Sequence, residues 1–196
     1  MKKSFLRNPL GCLLLLPALL ISVQTQANDF EAALSSETAQ FTFRSDSSLI
    51  GWGGAELAAG VFYNDIGDFA AQLSLMQRRQ SSQKAPLTFG VGAKLYLGEL
   101  DDVNQTLAGI AIGGEVRYTI PGVMPMSAYL SGHFAPKITS FSDIEQVTDV
   151  NLGFQLEVLP QTTAFAGIRR IDVDLKNGGN YEMDDNNIHF GVRFVF

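Results

Sequence analysis

The chain has 196 residues, 46% of them apolar and 17% charged, with 14 Lys plus Arg against 20 Asp plus Glu, 19 Gly and one Cys. A formal net charge of −6 excludes a basic nucleic-acid binder, the single cysteine excludes a disulfide scaffold, and the apolar fraction excludes a disordered chain. The length admits one domain, or two at most.

Lys2, Lys3 and Arg7 precede an apolar stretch over residues 10–23. That stretch is shorter than the roughly 20 residues a spanning helix needs, and Thr25, Gln26 and Ala27 put a small residue at the usual cleavage position. Residues 1–27 therefore read as a secretory signal cut after Ala27. Cys12 does not make it a lipoprotein signal, because most of the apolar run follows the cysteine instead of preceding it. Its removal leaves 11 basic residues, 20 acidic residues and no cysteine. An exported chain without a disulfide takes its stability from a large core or from a different solvent.

Residues 28–50 carry one short alternation, Ala39, Phe41 and Phe43 against Gln40, Thr42 and Arg44, and read as a lead-in or an extra strand. From residue 51 onward, eight strands follow one another. Alternation runs over 55–63, a turn occupies 64–68, and alternation resumes over 69–77. The polar segment 79–86 leads to the clearest case. In residues 87–98, Leu87, Phe89, Val91, Ala93, Leu95 and Leu97 share one face, with Thr88, Gly90, Gly92, Lys94, Tyr96 and Gly98 on the other. Strict alternation of this kind is a strand signal, and this run is about twice the common strand length.

The pattern recurs over 108–120, 126–134, 150–158, 163–175 and 188–196, punctuated by Pro121-Gly122, Pro160-Gln161 and Asn177-Gly178-Gly179-Asn180. No helical segment is visible. The fold class expected is all-β: an antiparallel up-and-down barrel of eight strands, with nine or ten strand segments as the alternative. A ninth strand over 39–44 would put the termini on opposite sides.

The polar face decides which solvent this barrel meets. A water-facing strand surface carries Thr, Lys and Glu, because glycine weakens an exposed strand. Here that face is interleaved with Gly60, Gly90, Gly92, Gly109, Gly113, Gly153, Gly167 and Gly191. Small residues beside long charged ones suit a crowded lumen, and strands of 9 to 11 residues or more cross a bilayer when tilted. The expectation is a transmembrane barrel with its apolar face on lipid. Trp52, Tyr63, Tyr118 and Phe196 at strand ends fit an aromatic girdle. The turn 64–68 then lies at the extracellular end and the longer 79–86 at the periplasmic end, against the usual loop asymmetry.

The inward face collects Glu56, Arg78, Lys94, Glu115, Arg117, Glu157, Arg169 and Arg193. Charges in a low-dielectric lumen must be paired, so a packed lumen charge network is expected from these residues. Ser131 and His133 share that face two positions apart, with Glu157 on the next strand, which supplies the ingredients of nucleophilic hydrolysis. They lie in no nameable motif, and the expectation is that the protein is not an enzyme. The run Asp172-Val173-Asp174-Leu175-Lys176 has Lys176 and Met183 where a calcium loop needs ligands. Gly51-Trp52-Gly53-Gly54 lacks the helix of a phosphate loop. No cofactor or metal is expected. Residues 137–146 and 176–187 read as surface loops and as the contact sites of a rigid scaffold.

The C-terminal run from His189 to Phe196, with Phe194 and Phe196 on one face, resembles the signal by which bacterial outer-membrane barrels are recognised by their assembly machinery. The run from Gly54 to Asn64 leading into 65–68, then Ala166-Gly167-Ile168-Arg169-Arg170 after Pro160, and the terminal Phe196 resemble the YfaZ-type outer-membrane proteins over most of the mature chain. The polar segment 78–84 departs from the tight turn expected there. The resemblance implies a Gram-negative outer-membrane location and monomeric assembly among lipid and lipopolysaccharide, with the barrel-assembly machinery as partner. It supplies no catalytic residue. The role expected is structural, in envelope integrity or surface interaction. The alternatives are a lipid hydrolase or acyltransferase, a narrow solute channel, and a soluble periplasmic ligand-binding barrel.

Overall fold

The computed structural model describes residues 28–50, 53–81 and 86–196. The signal segment with its cleavage at Ala27, together with Trp52, lies outside the described residues. Eleven strands are present: β1 (Asp29–Leu34), β2 (Thr38–Asp46), β3 (Glu56–Asn64), β4 (Phe69–Gln80), β5 (Leu87–Leu100), β6 (Gln105–Ile120), β7 (Met126–Ala135), β8 (Ser140–Ser142), β9 (Ile144–Leu159), β10 (Thr162–Leu175) and β11 (Asn180–Val195). Ten of them form a closed antiparallel ring in which each barrel strand pairs with its sequence neighbours, β7 pairs with β9, and β1 returns to β11. The short β8 lies outside the ring and pairs with the start of β6.

The barrel therefore has ten strands, not eight, and residues 28–50 are part of its wall. β1 lies between β2 and β11, with Phe30 opposite Phe43 and Phe194, and Glu31 opposite Thr42 and Arg193. Its sequence, Asp-Phe-Glu-Ala-Ala-Leu, is short and poor in β-branched residues, and its pairing on both edges compensates for that. A hairpin contributes two strands at once, so the even count and the shared position of the termini are both kept. The ends meet where the Asn28 amide donates to the Phe196 carbonyl at 3.0 Å and the Phe196 amide to the Asn28 carbonyl at 2.8 Å.

The two faces of the wall are inverted relative to a water-soluble barrel. Large apolar side chains stand on the outside, with Val91 70%, Ile112 66% and Phe190 65% exposed. Inside, Glu31, Gln72, Glu115, His133, Asp149 and Arg169 are buried. A surface of this kind is stable against lipid and unstable against water. Tyr63, Tyr118 and Phe196 also point outward.

Glycine on the inner face makes room for rings on the next strand. Gly113 lies opposite His133, Gly153 opposite Tyr129, Gly167 opposite His189 and Gly191 opposite Phe165. In each pair a Cβ on the glycine would collide with the ring it faces. The short turn between β3 and β4 has a comparable reason. Asp68 is fully buried, accepts the Tyr181 hydroxyl at 2.7 Å and the Asp101 amide at 2.8 Å, and so pins the turn inward across the barrel.

Candidate functional site

The lumen gathers most of the buried polar and charged side chains among the described residues, and it is arranged in three layers along the barrel axis. At the end that holds the termini, a belt of alternating charge runs round the inner wall. Arg193 donates to Glu31 through Nε at 2.9 Å and Nη2 at 2.6 Å, and Glu31 also accepts from Arg44 at 2.7 and 3.1 Å. Arg44 Nε stands 3.5 Å from Glu56, Glu56 pairs with Arg78, and Arg78 Nε donates to Glu115 at 3.2 Å. Arg117 closes the series on Glu115 at 3.1 Å and lies over the Tyr129 ring, 5.7 Å from its centroid.

The link from Arg78 to Glu115 crosses a whole strand. Both residues lie opposite Gly90 of β5, one on each side. A Cβ at Gly90 would sit 3.0 Å from Met76 Sδ and 3.4 Å from Arg78 Cγ, in the space that this reach occupies.

The middle layer is polar. Lys94 donates to Asp149 at 2.7 Å, and the Tyr96 hydroxyl donates to the same carboxylate at 2.5 Å. Arg169 donates through Nε to Asp184 at 2.6 Å, pairs with Gln40, donates to Thr38 at 3.2 Å, and lies over the Phe62 ring. A register shift between β10 and β11 just beyond Arg169 brings Asp184 round to meet it. The layer farthest from the termini is apolar. Phe62, Leu100, Leu107, Ile144, Val147, Ile171 and Val173 pack across the lumen with no more than 1% exposure.

Glu56, Lys94, Glu115, Arg117 and Arg193 all enter the lumen network, but they fall into two layers. Arg169 belongs to a separate cluster with Asp184. Glu157 does not join: it is exposed at the end of β9 opposite Thr163 and makes no ion pair among the described residues. Alternation gives the face of a residue and not its depth, and Glu157 lies on the correct face beyond the belt. The members missed are Glu31, Arg44, Asp149 and Asp184. Glu31 and Arg44 sit in the strands read as a lead-in, although Arg44 already stood on the polar side of the 39–44 alternation.

The residues that could resemble a hydrolase are not assembled. Ser131 lies opposite Asn151 and His133 opposite Asp149, while Glu157 is six positions further along β9, roughly 20 Å away. The segment 176–187 is not a surface loop either. Its turn covers only 176–179, and β11 starts at Asn180, turning Tyr181 and Met183 into the apolar layer. Within 137–146, the chain makes a short helical turn and β8, and Ile144 is buried in the same layer. Phe194 and Phe196 are exposed on the outer wall at the terminal end.

A family model described as YfaZ precursor matches residues 7–196. No curated protein matches. Among solved structures, the outer membrane channel DcaP of Acinetobacter baumannii is 13% identical with a TM-score of 0.40, the match covering 85% of this chain and 54% of that one. This chain thus spans about half the length of that channel. The NanC porin is 12% identical with a TM-score of 0.38, the match covering 86% of this chain and 98% of that one.

Proposed function

The chain belongs to the YfaZ family, and we propose that it is a non-conducting, non-enzymatic barrel of the outer membrane that serves envelope integrity or surface contact. The apolar layer carries this reading: side chains from eight strands close the lumen at the end away from the termini. Water and ions do not cross a dry, close-packed layer of this kind. The exposed apolar wall supports the membrane location, with the termini in the periplasm and the 64–68, 101–104, 136–143 and 176–179 connections outside.

In this orientation Phe194 and Phe196 are presented to the assembly machinery at the periplasmic rim. The outward residues Arg170, Asp172, Glu182 and Asp185, linked to one another through Arg170 at 2.6 to 3.4 Å, project beyond the lipid as a charged collar. That collar and the 136–143 connection are the surface offered to lipopolysaccharide or another envelope component.

The test is fractionation of expressing cells, gel migration of unboiled and boiled extract, and conductance of the purified protein in planar bilayers. Heat-modifiable mobility in the outer-membrane fraction with no unit conductance is the expected result. Recovery in the soluble periplasm overturns the location, and steady ion conductance overturns the closed lumen.

A further inference from the structure

The belt end of the lumen encloses a cavity that a purely structural network does not require. Its volume is about 130 Å³, and one water needs roughly 10 to 15 Å³ on this measure, so it has room for a small solute with water. A second recess of about 240 Å³ at the terminal end shares Arg44, Glu56, Met76 and Arg78 with it. The cavity is thus approached from the side of the termini and closed on the other side by the apolar layer.

The charge around this cavity balances once Asp29 and Asp184 behind its wall are counted, but the pairing of the cations is uneven. Six cationic and four anionic side chains line it. Lys94 is neutralised by Asp149 and Arg169 by Asp184. What remains is Arg44, Arg78, Arg117 and Arg193 against Glu31, Glu56 and Glu115. Arg44 has further help from Asp29, 3.8 Å away, and Arg78 is held between two carboxylates. Arg117 and Arg193 each have a single carboxylate partner, reached through Nε and Nη2, so Nη1 of each is without a partner among the described residues. Both guanidinium groups line the cavity.

A second observation points the same way. His133 Nε2 and His189 Nδ1 belong to rings that line the cavity, each more than nine-tenths buried, and neither nitrogen has a partner among the described residues. Buried polar atoms without protein partners mark a site that solvent or ligand occupies.

We propose that this cavity binds a small oxyanion, a carboxylate or phosphate group, between Arg117 and Arg193, admitted from the periplasmic side and stopped by the apolar layer. The free Nη1 edges supply charge-assisted hydrogen bonds to the oxyanion, and planar guanidinium groups match such oxygens better than ammonium does. Tyr129, beneath Arg117, adds a hydroxyl to the same wall. The direction of entry rests on the closed-lumen reading above, whereas binding itself is independent of it.

The experiment is isothermal titration calorimetry of the folded protein in detergent micelles with inorganic phosphate and, separately, with acetate. Saturable one-site heat with either anion, weakened by added salt, is expected. Saturation by phosphate alone assigns the site to phosphate groups, and saturation by acetate alone assigns it to carboxylates. Arg117→Gln, with folding checked by gel mobility, should weaken binding about tenfold or more, the loss of one charge-assisted hydrogen bond. A second measurement avoids disturbing the belt. Ser131→Cys on the cavity wall should react faster with an anionic than with a cationic methanethiosulfonate, and the better-bound anion should slow that reaction. The proposal is overturned if neither anion gives saturable heat, if Arg117→Gln binds as tightly as wild type, or if the cationic reagent is the faster. Ion conductance would instead refute the closed lumen and leave the titration result standing.

Discussion

Glu31 is the residue on which ring closure and the charge belt both depend, and Glu31→Gln tests the two together. Its carboxylate accepts four hydrogen bonds, two from Arg44 and two from Arg193, all between 2.6 and 3.1 Å, and its side chain is 10% exposed. After substitution, Arg44 keeps Glu56 at 3.5 Å and Asp29 at 3.8 Å, but Arg193 has no anionic partner left among the described residues. Breaking a buried pair from one side costs about 3 to 5 kcal/mol. The belt borders a cavity that admits water, which puts the expected loss near the lower figure, about 3 kcal/mol. Adding Arg193→Gln removes the stranded cation, so the double variant should recover about 1 to 2 kcal/mol relative to the sum of the singles. Urea unfolding in lipid vesicles, followed by the mobility of unboiled protein, measures all three. A Glu31→Gln variant within about 0.5 kcal/mol of wild type, or a double variant that is strictly additive, would refute the reasoning.

Further outcomes follow from the walls of the lumen and from the outer surface. Ile112→Arg, in the middle of β6 on the outer face, should cost about 2 to 4 kcal/mol in a bilayer, while Val123→Arg in the exposed terminal-end connection should cost almost nothing; equal effects would count against a lipid-facing wall. Gly153→Ala forces a Cβ into the Tyr129 hydroxyl and should lower stability by about 1 to 3 kcal/mol, with Tyr129→Ala in the same chain relieving the strain in urea titrations. Leu107→Ala, at 0% exposure in the apolar layer, should cost about 2 to 5 kcal/mol; a loss under 1 kcal/mol would mean that the layer is not packed. Phe196→Ala should reduce the amount of protein in the outer-membrane fraction without changing the melting temperature of the refolded barrel.

The sequence made some strands plain because their faces contrast strongly. In β5, glycine, Lys94 and Tyr96 on one side meet Val91, Leu95 and Leu97 on the other, and the 87–98 reading falls inside Leu87–Leu100. β1 offered no such contrast over six residues with two adjacent alanines. The apolar layer was hidden for a different reason. On β10, Ile168 points out and Arg169 in, yet two and four residues later Arg170 and Asp172 point out and Ile171 and Val173 in. The alternation keeps its phase while its polarity reverses. The same reversal occurs on β9, between Thr148 outside with Val147 inside and Val150 outside with Asp149 inside. A reversal of this kind marks the height at which the wall leaves the lipid: outside, water replaces acyl chains, and inside, the barrel acquires a dry core of its own.

That change of solvent explains why the lumen is layered and not uniformly charged. Ten strands enclose a wider interior than eight, whose lumen side chains alone can fill. The extra space could be occupied throughout by paired charges, but each buried pair repays its desolvation only with ideal geometry, and apolar packing of similar volume is often equal or better. Beyond the lipid, where the outer wall is already hydrated by Arg170, Asp172 and Glu182, an apolar interior is the ordinary arrangement of a soluble barrel and needs no ion pairs. Within the lipid the apolar surface is on the outside, and the inner wall holds the belt, hydrated through the recess beside Arg44 and Arg78. Gly90, which leaves the opening for Arg78 to reach Glu115, joins the β1–β4 part of that belt to the β6 part across β5. Closing Gly90 with a leucine should therefore separate Glu56 from Glu115 electrostatically without touching either carboxylate. In the leucine variant, Arg78→Gln should then cost less than it does in the wild-type barrel, and an unchanged cost would mean that the belt is a set of independent pairs.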